Sequence, residues 1–450
     1  MRPSFLQWQF SSFLLVTHLL LLACEVKMSL VGIALALLAL LALLALLAEG
    51  DEDGLGGIIG PRRDGAMQVN SSDPLTLPVL LNGQDVLSIV AEQASVIEAQ
   101  ASVIEVQASV NAEQSREIAV LNQHMCRFRE PTLESITGLT SDPYKWAGGV
   151  LASNGLIYGV PDSATSVLII NPATNTLDTT TITRLPSGPG NWHSGVLAPN
   201  NNNIYCFPQN HDSVLKIDPA TNTADWTTII GMGTEPGKFY SSVLANNGLI
   251  YGIPYSASFV LIVDPSTDTS DTTTLSGLST DDSKWFGGVV VRDGRIFCIP
   301  QDAGSVLIID PDTNTLDTTS IAGFGSGGGK WTGAVLASNG VIYGIPRDSE
   351  SVLIIHPEAM TAETTTITGL GGVFKWIGGV LAANGKVVGI PHSSGAVLVI
   401  DPETHTADTT SIAGVGAQIA KYHGGVLGPN GLIYAIPAHA DNVLVIDVGC

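Results

Sequence analysis

The chain has 450 residues, 13% of them charged and 45% hydrophobic, and its 41 acids against 19 bases give a formal net charge of −22. So few cations exclude a binder of nucleic acid phosphates, and so much apolar content excludes an acidic disordered chain. The 49 glycines, with abundant Thr, Val and Ile, point instead to β structure beside a membrane-seeking segment.

Residues 1–28 form a short apolar segment broken by Ser11, Ser12, Thr17 and His18. Residues 29–48 are twenty uncharged residues, mostly Leu and Ala. At about 1.5 Å per residue such a helix crosses a hydrocarbon core of ~30 Å, so this segment reads as a signal-anchor or transmembrane helix. The upstream bases Arg2 and Lys27, and the acids Glu49, Asp51, Glu52 and Asp53 that follow, put the N-terminus in the cytoplasm and the rest outside. A long cleaved signal peptide, beginning at Met28, is the alternative and leads to secretion. Leu-Leu-Ala-Cys24 is similar to a lipoprotein processing site, but the hydrophobic helix behind it argues against that use. Residues 49–83 are rich in Gly, Asp and Pro and read as a flexible linker, with a glycosylation sequon at Asn70.

Residues 84–125 change pattern. ASVIEAQ, ASVIEVQ and ASVNAEQ repeat at seven-residue spacing. Leu87, Val90, Ala94, Ile97, Ala101, Ile104, Ala108 and Asn111 step by alternating three and four, the seam of a coiled coil. Val96, Val103 and Val110 add a second stripe, which suggests more than two strands. An amphipathic helix lying on the following domain is the competing expectation.

From residue 131 an aromatic recurs: Trp146, Trp192, Phe239, Trp285, Trp331, Trp376 and Tyr422. Each is followed by GGVL or a variant, and in six of seven units by an Asn-Gly or Asp-Gly turn. Two strands come next, such as Leu156–Pro161 and Ser166–Ile170, then a hairpin and a Thr-rich fourth strand beginning at Asp178. Four short antiparallel strands, A to D, repeated every ~40–50 residues are the signature of a β-propeller. The fold class is therefore all-β, a seven-bladed propeller over residues 131–450, with glycine-rich strand A expected to line the channel. Blade seven lacks its strand D. Thr132–Gly138 matches Asp408–Gly414, so an N-terminal strand is expected to close the ring and remove its open edge. That closure places Cys126 beside Cys450 and predicts a disulfide between them in an oxidising compartment. Cys206 and Cys298 occupy the small-residue position of strand B and should be buried and inert.

The blade text, carried by Ser305–Thr315 and Gly333–Gly340, resembles the YVTN-type surface propeller repeats, and more loosely the NHL and PQQ types. The resemblance covers residues 132–447. It implies a propeller at a cell surface or in an export pathway, and no single reaction.

Lys145, Lys238, Lys284, Lys330, Lys375 and Lys421 each precede the strand A aromatic. A ligand-binding ring is one expectation, in the pairs Lys145–Trp146, Lys284–Trp285, Lys330–Trp331, Lys375–Trp376 and Lys421–Tyr422. The other is architecture, with each aromatic wedged between blades and its lysine pairing nearby. The histidines do not repeat. His193 and His423 follow strand A aromatics, while His211, His392 and His439 lie in B–C loops, all on one face. His392, His423 and His439 are the candidate acid–base set, and His392 with His439 the candidate ligands of a divalent metal. Asp310-Pro-Asp312-Thr-Asn314 has a partly calcium-like spacing without the Gly or distal Glu of an EF-hand. No other cofactor motif is present.

The expectation is a membrane-anchored or secreted extracytoplasmic binding or scaffold module. Its partners are the membrane through residues 29–48, other copies through the coiled coil, and an extracellular protein or glycan, with no nucleic acid. An exported lyase- or lactonase-type enzyme using the histidine face is the alternative.

Overall fold

The computed structural model describes residues 130–449 and short stretches between 80 and 113. Residues 29–48, Cys24, Asn70, Cys126 and Cys450 lie outside the described residues, so the anchor, the sequon and the disulfide remain expectations. The chain divides into two units, residues 1–123 and 124–450. In the first, Leu80–Leu81 pairs antiparallel with Gln84–Asp85. Its described residues between 95 and 113 are helical, and Val96, Val103, Ile104, Val106 and Val110 are exposed. No helix among the described residues is long and apolar enough to cross a membrane.

The second unit is a seven-bladed propeller. Blade one pairs strand A (Trp146–Leu151), B (Ile157–Pro161), C (Leu168–Asn171) and D (Thr176–Asp178) in that order, all antiparallel. Blades two to six repeat it over residues 192–225, 239–271, 285–317, 331–363 and 376–408. Blade seven is Tyr422–Leu427, Ile433–Pro437 and Asn442–Asp447, completed by Thr132–Thr137 from the N-terminal side. Six residue pairs, from Thr132↔Asp447 to Thr137↔Asn442, form that closing ladder.

Strand B is buried along its whole length in six blades, and in blade two along all but its first residue, Asn203. The core lies between blades: Val150, Tyr158 and Val160 of blade one pack with Trp192, Leu215 and Ile217 of blade two. Each such aliphatic side chain contributes about 1.5–3 kcal/mol on burial. The aromatics wedge into these seams. Trp146, Trp285, Trp331 and Trp376 donate their indole N–H to backbone carbonyls at 2.7–2.8 Å, which satisfies the one polar atom they bury. At the opposite ends of the strands, Asn154 Nδ2 donates to Tyr158 Oη at 3.0 Å and to the Pro219 carbonyl of the next blade at 3.3 Å. The Asn-Gly turns therefore also stitch blades together.

Strand A is bulged just after its aromatic in every blade. The bulge brings neighbouring backbones into contact at the axis. A Cβ on Gly287 would lie 2.6 Å from Gly333 Cα, and one on Gly333 2.8 Å from Gly378 Cα. Both glycines have positive φ, so conformation and space alike demand them.

Strand D differs from expectation. It ends at Asp178 rather than beginning there. The Asp178 carboxylate accepts hydrogen bonds from the backbone N–H groups of Thr180 and Thr181, turning the Thr-rich segment into a bend. Asp225, Asp271, Asp317 and Asp408 repeat the device. Asp310 is likewise occupied, accepting from Asp312 N at 2.9 Å and Thr313 N at 3.2 Å. Its calcium-like spacing forms a hairpin turn.

Candidate functional site

The lysine ring sits where the spacing puts it, in the D–A loops, but Lys145, Lys238, Lys284, Lys375 and Lys421 are buried and Lys330 half-buried. Lys145 Nζ donates to the carbonyls of Asp142, Ala438 and Ala440 at 2.9–3.1 Å. Lys375 Nζ does the same to Gly372, Arg347 and Ser349 at 2.8–3.0 Å. Lys284 and Lys421 donate to Asp281 and Gln418 carbonyls. These ammonium groups thus tie loop carbonyls, in two cases those of the preceding blade, and burial draws Lys145, Lys238 and Lys284 down to about 8. Trp146, Trp285, Trp331, Trp376 and Tyr422 are buried in the seams. Of the two expectations for the Lys–aromatic pairs, this burial matches the architectural one and not the ligand ring. Lys284 and Trp285 border a cleft of about 530 Å³, shared with Asp281, Asp282 and Asp302.

The mouth of the channel has a different make-up. It is built from two positions that vary freely within an otherwise uniform repeat. One follows the strand A aromatic: Ala147, His193, Tyr240, Phe286, Thr332, Ile377 and His423. The other follows the strand B proline: Asp162, Gln209, Tyr255, Gln301, Arg347, His392 and Ala438. Side chains from non-adjacent blades meet here, which only the axis permits. His193 of blade two lies 5.1 Å from His423 of blade seven and 5.4 Å from Phe286 of blade four, ring to ring. His392 is 5.3 Å from His423. Tyr240 stacks on Phe286 at 5.5 Å and meets Tyr255 edge-on at 3.8 Å. Gln209 and Gln301 donate to the hydroxyls of Tyr240 and Tyr255.

Three of the five face histidines therefore converge: His193, His392 and His423. His439 stands apart, edge-on to Tyr144 at 4.4 Å, and His211 packs on Trp192. Among the described residues no group of three His, Cys, Asp or Glu side chains is placed to hold a metal ion. The imidazoles are held neutral. Burial draws His193 down to about 3 and His392 to about 4. His423 keeps some surface but is ringed by protein, and that enclosure, with His193, His392 and Arg347 nearby, pushes it well below the usual range. His193 Nδ1 lies 2.8 Å from the Tyr240 carbonyl, which can only accept, so its Nε2 carries a lone pair. That Nε2, Gln209 Oε1, His423 Nδ1 and His439 Nε2 are buried without hydrogen-bond partners among the described residues.

The rim carries the strongest departure from the repeat. The residue before each ring lysine, or before Asn191 in blade two, has positive φ: Tyr144, Gly190, Gly237, Ser283, Gly329, Phe374 and Ala420. Glycine fills three of these seven positions, as the conformation favours. Tyr144 and Phe374 hold it at φ 51° and stay 50% and 44% exposed. A bulky side chain in this region carries strain of order 1–3 kcal/mol. The backbone N–H at six of the positions is accepted by a B–C loop side chain of the preceding blade, such as Asn210 for Gly237 at 2.8 Å and Asp348 for Phe374 at 2.5 Å. At the seventh junction the accepting position is His439, set against Tyr144. Sequence reasoning singled out the histidines but not Asp162, Tyr144, Arg347, Tyr240 or Phe374. Their signal was present as variability between blades at fixed repeat positions.

No family profile and no curated protein matches the chain. Solved structures do. The virginiamycin B lyase of Staphylococcus aureus superposes with a TM-score of 0.57 at 10% identity, covering 70% of this chain and 99% of that one. The extracellular domain of a hybrid two-component system of B. thetaiotaomicron gives 0.53 at 11% identity, covering 72% and 43%. The WD40 β-propeller domain of Doa1 gives 0.52 at 11%, covering 70% and 97%. At these identities the likeness shows the fold, a propeller shared by an enzyme, an extracellular domain and a WD40 domain.

Proposed function

We propose that this chain is an extracytoplasmic binding module that takes its ligand at the channel mouth. The observation that carries the proposal is the pair Tyr144 and Phe374. Both keep large aromatic surface exposed beside the mouth at positions where the backbone favours glycine, and Phe374 lies under the Arg347 guanidinium at 3.8 Å. Strain retained in side chains that stay half exposed, with ring contacts only to Arg347, His392 and His439 among the described residues, points to function. The ligand surface thereby moves from the lysine ring to the variable positions of blades five, six, seven and one. Residues 29–48 would anchor the module or direct its secretion, and residues 84–125 would assemble several propellers, adding avidity for repeated ligands.

Screening the labelled full-length chain on glycan and peptide arrays tests the proposal. Ligands should be lost in a Tyr144→Ser/Phe374→Ser variant that melts like the wild type. Ligands indifferent to those two residues would refute it. The enzyme reading draws support from one observation, the unpartnered nitrogens of His193 and His423 in a neutral imidazole cluster. Turnover of any captured ligand, lost in His423→Phe without loss of binding, would establish it over simple binding.

A further inference from the structure

Among the seven side chains that follow the strand B prolines there is one acid and one base, Asp162 and Arg347. They stand on blades one and five, nearly opposite across the mouth. Neither has a full-strength partner. Asp162 is 5% exposed and accepts a hydrogen bond from Ser163 Oγ at 3.1 Å. Among the described residues no cation lies within salt-bridge distance of it. Arg347 is fixed between the Phe374 ring and the backbone of Gly329, where a Cβ would lie 2.1 Å from its Nη1. Its one ion pair among the described residues is a single-point contact with Asp348 at 3.4 Å, and that carboxylate is already engaged by Phe374 N. A guanidinium so held presents donors suited to a second carboxylate.

Tyr240 near the axis registers both charges. Burial raises its hydroxyl pKa most, Tyr255 and Asp162 add to the rise, and Arg347 opposes it. Around the same axis lie the lone pair of His193 Nε2 and the carbonyl of Gln209 Oε1, buried acceptors that lack a donor.

We propose that the channel mouth binds a zwitterionic ligand, a short peptide with free termini, its ammonium end at Asp162 and its carboxylate end at Arg347. Peptide N–H groups are the donors that His193 and Gln209 lack, and the exposed faces of Tyr144 and Phe374 flank the span. A net-neutral ligand also avoids the repulsion that a chain of net charge −22 offers to a simple anion. This inference rests on the mouth being the ligand surface.

The test is calorimetry on the full-length chain with trialanine and pentaalanine, each free, N-acetylated or C-amidated. Each block should weaken binding at least tenfold. Asp162→Asn should remove the penalty for acetylation and keep that for amidation, and Arg347→Gln should do the reverse. The blocked-peptide comparison on the wild type stands even where a variant fails to fold. Equal binding of free and blocked peptides, or sensitivity to one end only, overturns the proposal. Absence of peptide binding, with another ligand bound in a Tyr144- and Phe374-dependent manner, overturns it and leaves the mouth standing. Ligands indifferent to those two aromatics bring down the mouth itself.

Discussion

Replacing Asp162 by asparagine should stabilise the propeller at neutral pH and have little effect in acid. Burial lifts this carboxyl from 3.8 to about 6, because no cation offsets its desolvation. The folded chain thus holds the proton more tightly than the unfolded one. The associated stability is fully present below pH ~4 and is lost as pH rises through ~6. A shift of about two units corresponds to roughly 3 kcal/mol. Asparagine keeps an oxygen to accept from Ser163 but gives up charge assistance worth about 1 kcal/mol. The net expectation is about 2 kcal/mol of added stability at pH 7.5, vanishing or slightly reversed near pH 4. Urea unfolding of the ligand-free full-length chain and its variant at both pH values, followed by tryptophan fluorescence, measures it. An equal difference at the two pH values, or destabilisation at pH 7.5, would refute the reasoning, since either means that the carboxylate is paired.

Further expectations concern the lysines, the rim and the ring. Lys145→Met removes the ammonium from three carbonyls at the junction of blades seven and one, and should cost about 3 kcal/mol in denaturant unfolding. Lys386→Met, outside that ring, should stay within about 0.5 kcal/mol. Phe374→Gly and Tyr144→Gly relieve a left-handed backbone and should hold or raise the melting temperature, a gain of up to about 1 kcal/mol; a fall of several degrees would show that the aromatics are there for packing. Gly333→Ala forces a Cβ against the Gly378 backbone and should destabilise the propeller by at least about 2 kcal/mol, read from the same unfolding curves. Non-reducing peptide mapping should recover Cys126 linked to Cys450, and two free thiols there would remove the disulfide.

The architecture was legible because it is periodic. Seven aromatics, the Asn-Gly turns and the match of Thr132–Gly138 to the fourth strand of blade six specify blade count, order and closure. Burial of Cys206 and Cys298 followed from the glycine and alanine that share their position, and both are buried free thiols. Strand D was misplaced because Asp-Thr-Thr has strand-like composition, while the aspartate side chain captures backbone donors that a ladder would use. The lysine ring admitted two readings for a related reason. A charged residue repeated in nearly every blade looks like a ligand contact, yet its head satisfies loop carbonyls that have no ladder partner. The mouth stayed hidden because its side chains come from blades far apart in sequence. What marks Asp162, Arg347, Tyr144 and Phe374 is that they break the repeat, and no local pattern reports a departure that becomes meaningful only when the ring is closed.

The ladder between Thr132–Thr137 and Asn442–Asp447 joins the first-made and last-made parts of the propeller. During synthesis, six blades must wait with an unpaired edge until the final strand emerges. Any product that stops before residue 442 leaves blade seven without its third and fourth rows, and the long-range pairing that completes the ring never forms. The closing strand therefore ties completion of blade seven to synthesis of the last strand, and the finished propeller is left with only the short outer edges of its seven fourth strands.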